Sequence, residues 1–162
     1  MNPLTVAQLL ILLTLANGTP AIAKKLLGDR FGQPFDGGTR FFDGRPLFGR
    51  SKTLRGIVLA LVATAAGAPI IGIDWHVGLL IGATAMAGDL FSSFIKRRMA
   101  LEPSSRAVGL DQIPESLFPM LAGAGIYGLS VADIAVGVAL FFVGEIVLSR
   151  VLYRLRLRDR PY

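Results

Sequence analysis

The seventeen Lys and Arg residues of this chain fall into three clusters parted by long apolar stretches. Eight lie between Lys24 and Arg55, four between Lys96 and Arg106, and five between Arg150 and Arg160. Cytoplasmic loops of membrane proteins collect Lys and Arg, while the opposite side stays poor in them. If the clusters share one side, each stretch between them crosses the bilayer twice. Residues 56–95 and 107–149 each leave room for two spans of roughly 17–25 apolar residues and a turn. The pattern predicts an all-α membrane protein, a bundle of five transmembrane helices, with the N-terminus outside and the C-terminus cytoplasmic.

The spans are expected at Leu4–Ala23, Gly56–Ile73, Val77–Ile95, Ile113–Leu129 and Val131–Leu152. Cytoplasmic loops then cover 24–55 and 96–112, a tail covers 153–162, and residues 1–162 form one integral-membrane domain. The short outer connections, Asp74-Trp75-His76 and the turn near Ser130, hold no Lys or Arg. Trp75 and Tyr127 mark span ends, where amphipathic rings favour the headgroup region. His76 is alone and interfacial and is read as neither ligand nor catalyst. Leu4–Ala23 has no basic segment before it and no small-residue cleavage site, so it reads as a first span rather than a signal peptide. Its Asn17-Gly18-Thr19-Pro20 run predicts a broken helix, because proline removes a backbone donor. With no Cys there is neither a disulfide framework nor a thiolate metal site. The net charge of +6 follows from topology, so no nucleic-acid partner is expected.

Asp89 lies inside the third expected span, Glu115 near the start of the fourth and Glu145 within the fifth. A carboxylate at the centre of a spanning helix costs about 2.5–3.5 kcal/mol and usually faces a bundle interior or a wet cavity. Asp89 precedes Ile95 by about 9 Å of helix at 1.5 Å per residue. Offsets of three, four and seven place Ser92, Ser93 and Lys96 on the same helical face. That face offers a hard oxygen for Mg2+, which takes one or two carboxylates plus substrate phosphates, and a point charge for phosphate in Lys96. Asp111 opens a further span with Pro114 and Glu115 in its first turn and is a second candidate carboxylate. The loop from Phe35 to Gly56 clusters Gly, Asp, Lys, Arg and hydroxyl residues, a composition suited to nucleotide phosphates. Its Gly44, Gly49, Arg50 and Ser51 approach a Walker A spacing, but no strand precedes them and Arg stands where the P-loop Lys would be.

Several segments together identify a resemblance. They are Ala16-Asn17-Gly18-Thr19-Pro20, Phe35-Asp36-Gly37-Gly38 with Asp43-Gly44-Arg45, and Leu47-Phe48-Gly49-Arg50-Ser51-Lys52-Thr53-Leu54-Arg55-Gly56. Gly88-Asp89 with Ser92-Ser93-Phe94-Ile95-Lys96-Arg97-Arg98, and Leu110-Asp111-Gln112, complete the set. In this order and over nearly the whole chain, they resemble the CDP-archaeol synthase family, relatives of the phosphatidate cytidylyltransferases. The chain departs from the archaeal pattern where Ile113 is followed by Pro114 and Glu115, and in a longer Lys24–Gln33 segment, which marks a divergent member.

The resemblance implies a Mg2+-dependent enzyme that joins CTP to a lipid phosphate, archaetidic-acid-like or phosphatidic-acid-like, giving a CDP-lipid and pyrophosphate. It implies Asp89 and Asp111 as metal-binding acids, with Lys96 beside them in catalysis. Lys52, Thr53, Arg55, Ser93 and Arg97 would contact CTP or lipid phosphate, and Asn17 and Thr19 would line the cavity. The expected location is the plasma membrane, with the site facing the cytoplasm and membrane lipids as neighbours.

The alternative from another class is a non-enzymatic carrier or accessory subunit using Asp89, Glu115 and Glu145 as a polar relay. Gly82, Ala83, Ala85, Ala87 and Gly88 suit either a homodimer contact or close packing inside the bundle. Arg154, Arg156, Arg158 and Arg160 anchor the tail or hold anionic headgroups.

Overall fold

In the computed structural model, which describes residues 2–102, 105 and 107–154, five helices follow one another. They are α1 (Pro3–Leu27), α2 (Leu54–Gly67), α3 (Trp75–Arg98), α4 (Gln112–Tyr127) and α5 (Val131–Arg154), with a 3-10 turn at Ala68–Ile71 extending α2. The expected all-α membrane architecture is present. Pro3–Leu27, Leu54–Ile71, Trp75–Arg98 and Val131–Val151 are long and apolar enough to span a bilayer. At 16 residues, α4 is about 24 Å long at 1.5 Å per residue, the shortest fit to a hydrocarbon core. Most of the tail assigned to 153–162, with Arg156, Arg158 and Arg160, lies outside the described residues, as does the side chain of Arg154.

The predicted break in the first span is absent: α1 runs unbroken through Pro20. Thr19 Oγ1 turns back onto the Leu15 carbonyl at 2.6 Å, and Pro20 packs against Gly56 of α2, where there is no side chain to collide with it. The ring is thus accommodated by a neighbouring helix rather than by opening the backbone. Trp75 and Tyr127 do fall at helix ends, the first of α3 and the last of α4.

The core is built from leucines on one face of α1. Leu9, Leu12 and Leu13 are fully buried against Val77 and Ile81 of α3, Met120 of α4 and Phe141 of α5. Towards the loops, Ala16, Ala60, Ala85 and Met86 form a second cluster of mostly small side chains. Small residues let helix backbones approach closely where no hydrophobic force drives association in lipid. Gly82 meets Thr64 of α2, and Gly88 lies against the backbone of Pro114 and Glu115 in α4. Gly82, Ala85 and Gly88 therefore pack inside the bundle, whereas Ala83 and Ala87 stay exposed.

Candidate active site

Two loops meet at the end of the bundle where α1, α3 and α5 finish. The first, between α1 and α2, has a defined fold that its composition does not announce. Phe35 N–H donates to the Lys52 carbonyl at 2.7 Å and Leu54 N–H to Gln33 at 3.1 Å, tying the loop's ends together. Within it, Asp36 is a knot: Oδ1 accepts from Gly38 N–H at 2.9 Å, while Oδ2 accepts from Phe48 and Gly49 N–H at 2.9 and 3.1 Å. Gly38 and Gly49 adopt positive φ values of 82° and 98° to aim those amides inward. Glycine amides that the composition offers to an external anion are thus taken by an internal one. Burial pushes the Asp36 carboxyl up, but the three amides outweigh it and hold the pKa below its ordinary value.

This loop delivers Lys52 to α3. Its ammonium lies 2.5 and 2.6 Å from the two carboxylate oxygens of Asp89. Burial works to lower the Lys52 pKa, yet the Asp89 charge prevails and the net shift is upward. A second pair forms about two turns further along α3. Lys96 Nζ lies 2.6 Å from Asp111 Oδ1 and 3.2 Å from the Ser105 carbonyl, and Lys96 is only 7% exposed. Asp111 Oδ2 also accepts from Ala107 N–H at 3.1 Å, which fixes the carboxylate just ahead of α4.

Glu115 completes the group. Gly88 lets α4 come so close that an added Cβ would meet Glu115 Cα at 2.7 Å, which sets this acid beside the Asp89 turn. It is 8% exposed and lies within electrostatic reach of Asp89, Glu145, Lys52 and Asp111. Ser92 and Ser93 are buried on the same α3 face, with Ser92 Oγ donating to the Asp89 carbonyl at 3.0 Å. Arg97 is 4% exposed; Nη2 donates to the Glu102 carbonyl at 2.8 Å, while Nε and Nη1 have no partner among the described residues. Both amide atoms of Asn17 are likewise buried without a partner among the described residues. A buried polar group left unpaired is costly unless water or a ligand meets it.

Other anticipated residues are turned to structural work. Thr53 caps α2, its hydroxyl oxygen accepting from Gly56 N–H at 3.1 Å. Arg55 donates to the carbonyls of Gly28 and Arg30 and so closes the end of α1. Thr19 is satisfied within its own helix. Among the described residues no group of three or more His, Cys, Asp or Glu side chains is arranged to hold a metal. The carboxylates of Asp89 and Asp111 are hard oxygen donors, and they fit an ion such as Mg2+ that takes one or two carboxylates and completes its shell with phosphate and water. The arrangement can therefore hold a polyphosphate between basic side chains and carboxylates at the edge of an apolar bundle. His76 is exposed near Asp74, remote from this cluster in the sequence of elements.

Comparison with known proteins bears on the same residues. A family profile described as CarS-like, CDP-archaeol synthase, matches residues 66–162. The CDP-archaeol synthase of Sulfurisphaera tokodaii is 35% identical over 153 residues, covering 91% of this chain and 89% of that one. That of Methanopyrus kandleri is 33% identical, covering 81% of this chain and 80% of its own. The solved structure of an intramembrane enzyme for archaeal membrane lipid biosynthesis superposes with a TM-score of 0.72 over 85% of this chain and 90% of that chain. It is 24% identical in sequence, so the likeness is one of fold.

Proposed function

Because the chain belongs to the CDP-archaeol synthase family and is an integral membrane enzyme, a CTP-dependent lipid cytidylyltransferase, we propose that it transfers CMP from CTP to an ether-lipid phosphate of the archaetidic-acid type, releasing pyrophosphate. The names of its relatives support the ether lipid. Family membership also favours the enzyme over the carrier reading of the intramembrane acids.

The observation that carries the proposal is the pairing of Lys52 with Asp89 and of Lys96 with Asp111 in one half-buried cluster. A lipid phosphate is already anionic at neutral pH, so no general base is required. One of its oxygens attacks the α-phosphorus of CTP; the bond to the bridging oxygen breaks, and pyrophosphate leaves with that electron pair. The chemistry demands alignment and charge neutralisation more than proton transfer. Lys52, Lys96 and Arg97 neutralise phosphate oxygens, and the two unpartnered nitrogens of Arg97 are donors already stripped of water. Ser93 and the Asn17 amide contribute neutral polar contacts to CTP or lipid phosphate. Thr53, Arg55 and Thr19 support the site from behind through the contacts described above. Asp89 and Asp111 would hold Mg2+, which when bound offsets charge on the transferring phosphate.

The one-sided distribution of basic clusters supports a site on the cytoplasmic face with the N-terminus outside, and our reading takes the membrane as the plasma membrane and residues 1–162 as one domain. The lipid chains remain among membrane lipids while the headgroup enters between the loops. Every residue invoked here belongs to one chain, and a homodimer is compatible with this chemistry.

The test is incorporation of labelled CTP into lipid by purified protein with Mg2+, offering ether-lipid phosphate and diacyl phosphatidic acid separately. Product with the ether lipid, lost in Asp89→Asn, is the expected result. Product with the diacyl lipid alone would overturn the substrate assignment. Folded protein that yields no product with either lipid and fails to bind CTP would overturn the reaction.

A further inference from the structure

Lys96, Arg97 and Arg98 are consecutive at the end of α3 and read in sequence as one basic patch. A helix advances about 100° per residue, so three neighbours point three ways. Lys96 faces Asp111 and Arg97 faces the Glu102 carbonyl, whereas Arg98 faces the first loop. Its guanidinium lies over the rings of Phe41 and Phe94, 4.7 and 4.9 Å from their centroids. Nη1 donates to Asp43 Oδ1 at 2.7 Å and Nη2 to the Pro46 carbonyl at 2.6 Å. The Arg98 carbonyl in turn accepts from Arg45 Nη1 at 2.5 Å. The side-chain hydrogen bonds Arg98 makes to described residues thus both go to the first loop, and Nε is buried with no partner among the described residues.

What Arg98 grips is a small hairpin, Arg40 to Pro46, closed by Phe41 N–H to the Arg45 carbonyl at 2.8 Å. The hairpin continues into the Asp36 knot through Leu47 N–H to Thr39 at 2.9 Å. The knot holds Phe48 and Gly49, and Lys52 N–H donates to the Gly49 carbonyl at 3.2 Å. An unbroken run of contacts thus leads from Arg98 to the residue that meets Asp89.

We propose that Arg98 is a positioning residue for CTP and not a phosphate ligand: clasping Asp43, Pro46 and Phe41, it holds the first loop so that Lys52 reaches the site. The proposal rests on the CTP reading above. It explains an acid, Asp43, kept in a basic loop where it would otherwise repel a triphosphate.

The sign of the Asp43 effect separates the two roles. If Arg98 bound phosphate directly, Asp43→Asn would release it and remove a negative charge, so CTP would bind as well or better. If Arg98 is a clasp, Asp43→Asn and Arg98→Gln each raise KM for CTP about tenfold, because a misplaced positioning group loses 10-fold or more. KM for the lipid phosphate should then stay within about twofold, and the double variant should be no worse than Arg98→Gln, as for two residues sharing one contact. Amide hydrogen exchange reads the same point without turnover. In both variants exchange at Phe48 and Gly49 should quicken while α5 keeps its protection, which also shows that the bundle is folded. An unchanged or lowered KM for CTP in Asp43→Asn, or unchanged exchange at Phe48 and Gly49, would overturn the clasp. Absence of turnover in the unmodified protein would instead count against the reaction, with the exchange result still deciding the clasp.

Discussion

The ammonium of Lys52 sits 2.5 and 2.6 Å from both carboxylate oxygens of Asp89, joining a loop residue to a helix residue 37 positions further along. Without ligand, a base proposed to hold phosphate and an acid proposed to hold metal neutralise each other. Binding CTP with its metal then means exchanging partners, Lys52 to phosphate and Asp89 to the cation. Asp89→Asn should abolish turnover yet tighten binding of metal-free CTP several-fold, since Lys52 is released and a negative charge removed. Equilibrium dialysis in chelator measures it; weaker binding than in the unmodified protein would contradict the exchange.

The same pair sets a pH limit. The folded-state pKa of Lys52 lies above its ordinary value of 10.5. A raised pKa stabilises at every pH below the unfolded value and is lost as pH rises through the folded one. The difference in stability between the unmodified protein and Lys52→Met should therefore be flat from neutral to mildly alkaline pH and shrink only above about 10.5. Thermal unfolding of both proteins across alkaline pH checks this.

Asp36 sets the opposite limit on the first loop. Its pKa is held below the ordinary 3.8 by amides of Phe48, Gly38 and Gly49. A depressed pKa stabilises above the unfolded value and is lost as pH falls through the folded one. Proteolysis between Phe35 and Lys52 should accelerate below pH 3.8, and in Asp36→Ala it should be fast at neutral pH. Equal cleavage of Asp36→Ala and the unmodified protein at neutral pH would remove the knot from the account.

Gly88 holds α3 and α4 in contact. A Cβ there would meet the Pro114 carbonyl carbon at 2.6 Å and Glu115 Cα at 2.7 Å, and backbone cannot step aside as a side chain can. Gly88→Ala should cost about 1–3 kcal/mol or more, as overpacking does, and should disable turnover by moving Glu115 away from Asp89. Gly144→Ala is the control: nothing lies within 4 Å of its added Cβ, and removing a helical glycine is expected to be neutral or slightly stabilising. Unfolding in detergent distinguishes the two.

At the opposite end of the bundle, Asp133 is 2% exposed and accepts from Asn2 N–H at 2.9 Å, Ser130 N–H at 3.1 Å and Ser130 Oγ at 2.6 Å. Asp133→Ala leaves those donors unpaired and should lower stability by about 1–3 kcal/mol. KM for CTP should not change, because the residue is far along α5 from the loops. A raised KM would show that the two ends of the bundle are coupled.

Asp89, Lys96 and Asp111 were readable in the sequence because each departs from its surroundings: an acid inside an apolar run, or a base at its edge. Lys52 emerged through resemblance, yet its partner did not, since residues 52 and 89 share no local periodicity. The Asp36 knot was invisible for a related reason. Glycine and hydroxyl composition says that amides are available but not which anion takes them. Pro20 misled in the other direction, because its effect on α1 depends on Gly56 in another helix. Arg98 drew no role of its own from the sequence, because the rings of Phe41 and Phe94 meet beside it only in the fold.

Helix number, the order of loops and spans, and the end of the bundle that carries charge follow from the sequence alone. Each span's insertion energy sums along contiguous residues, so the alternation of basic clusters and apolar stretches is enough. Which lysine meets which acid was decided only in the folded protein. It depends on the rotation of α3 against α4 and on how closely Gly88 allows them to approach, and those are set by packing between segments distant in sequence.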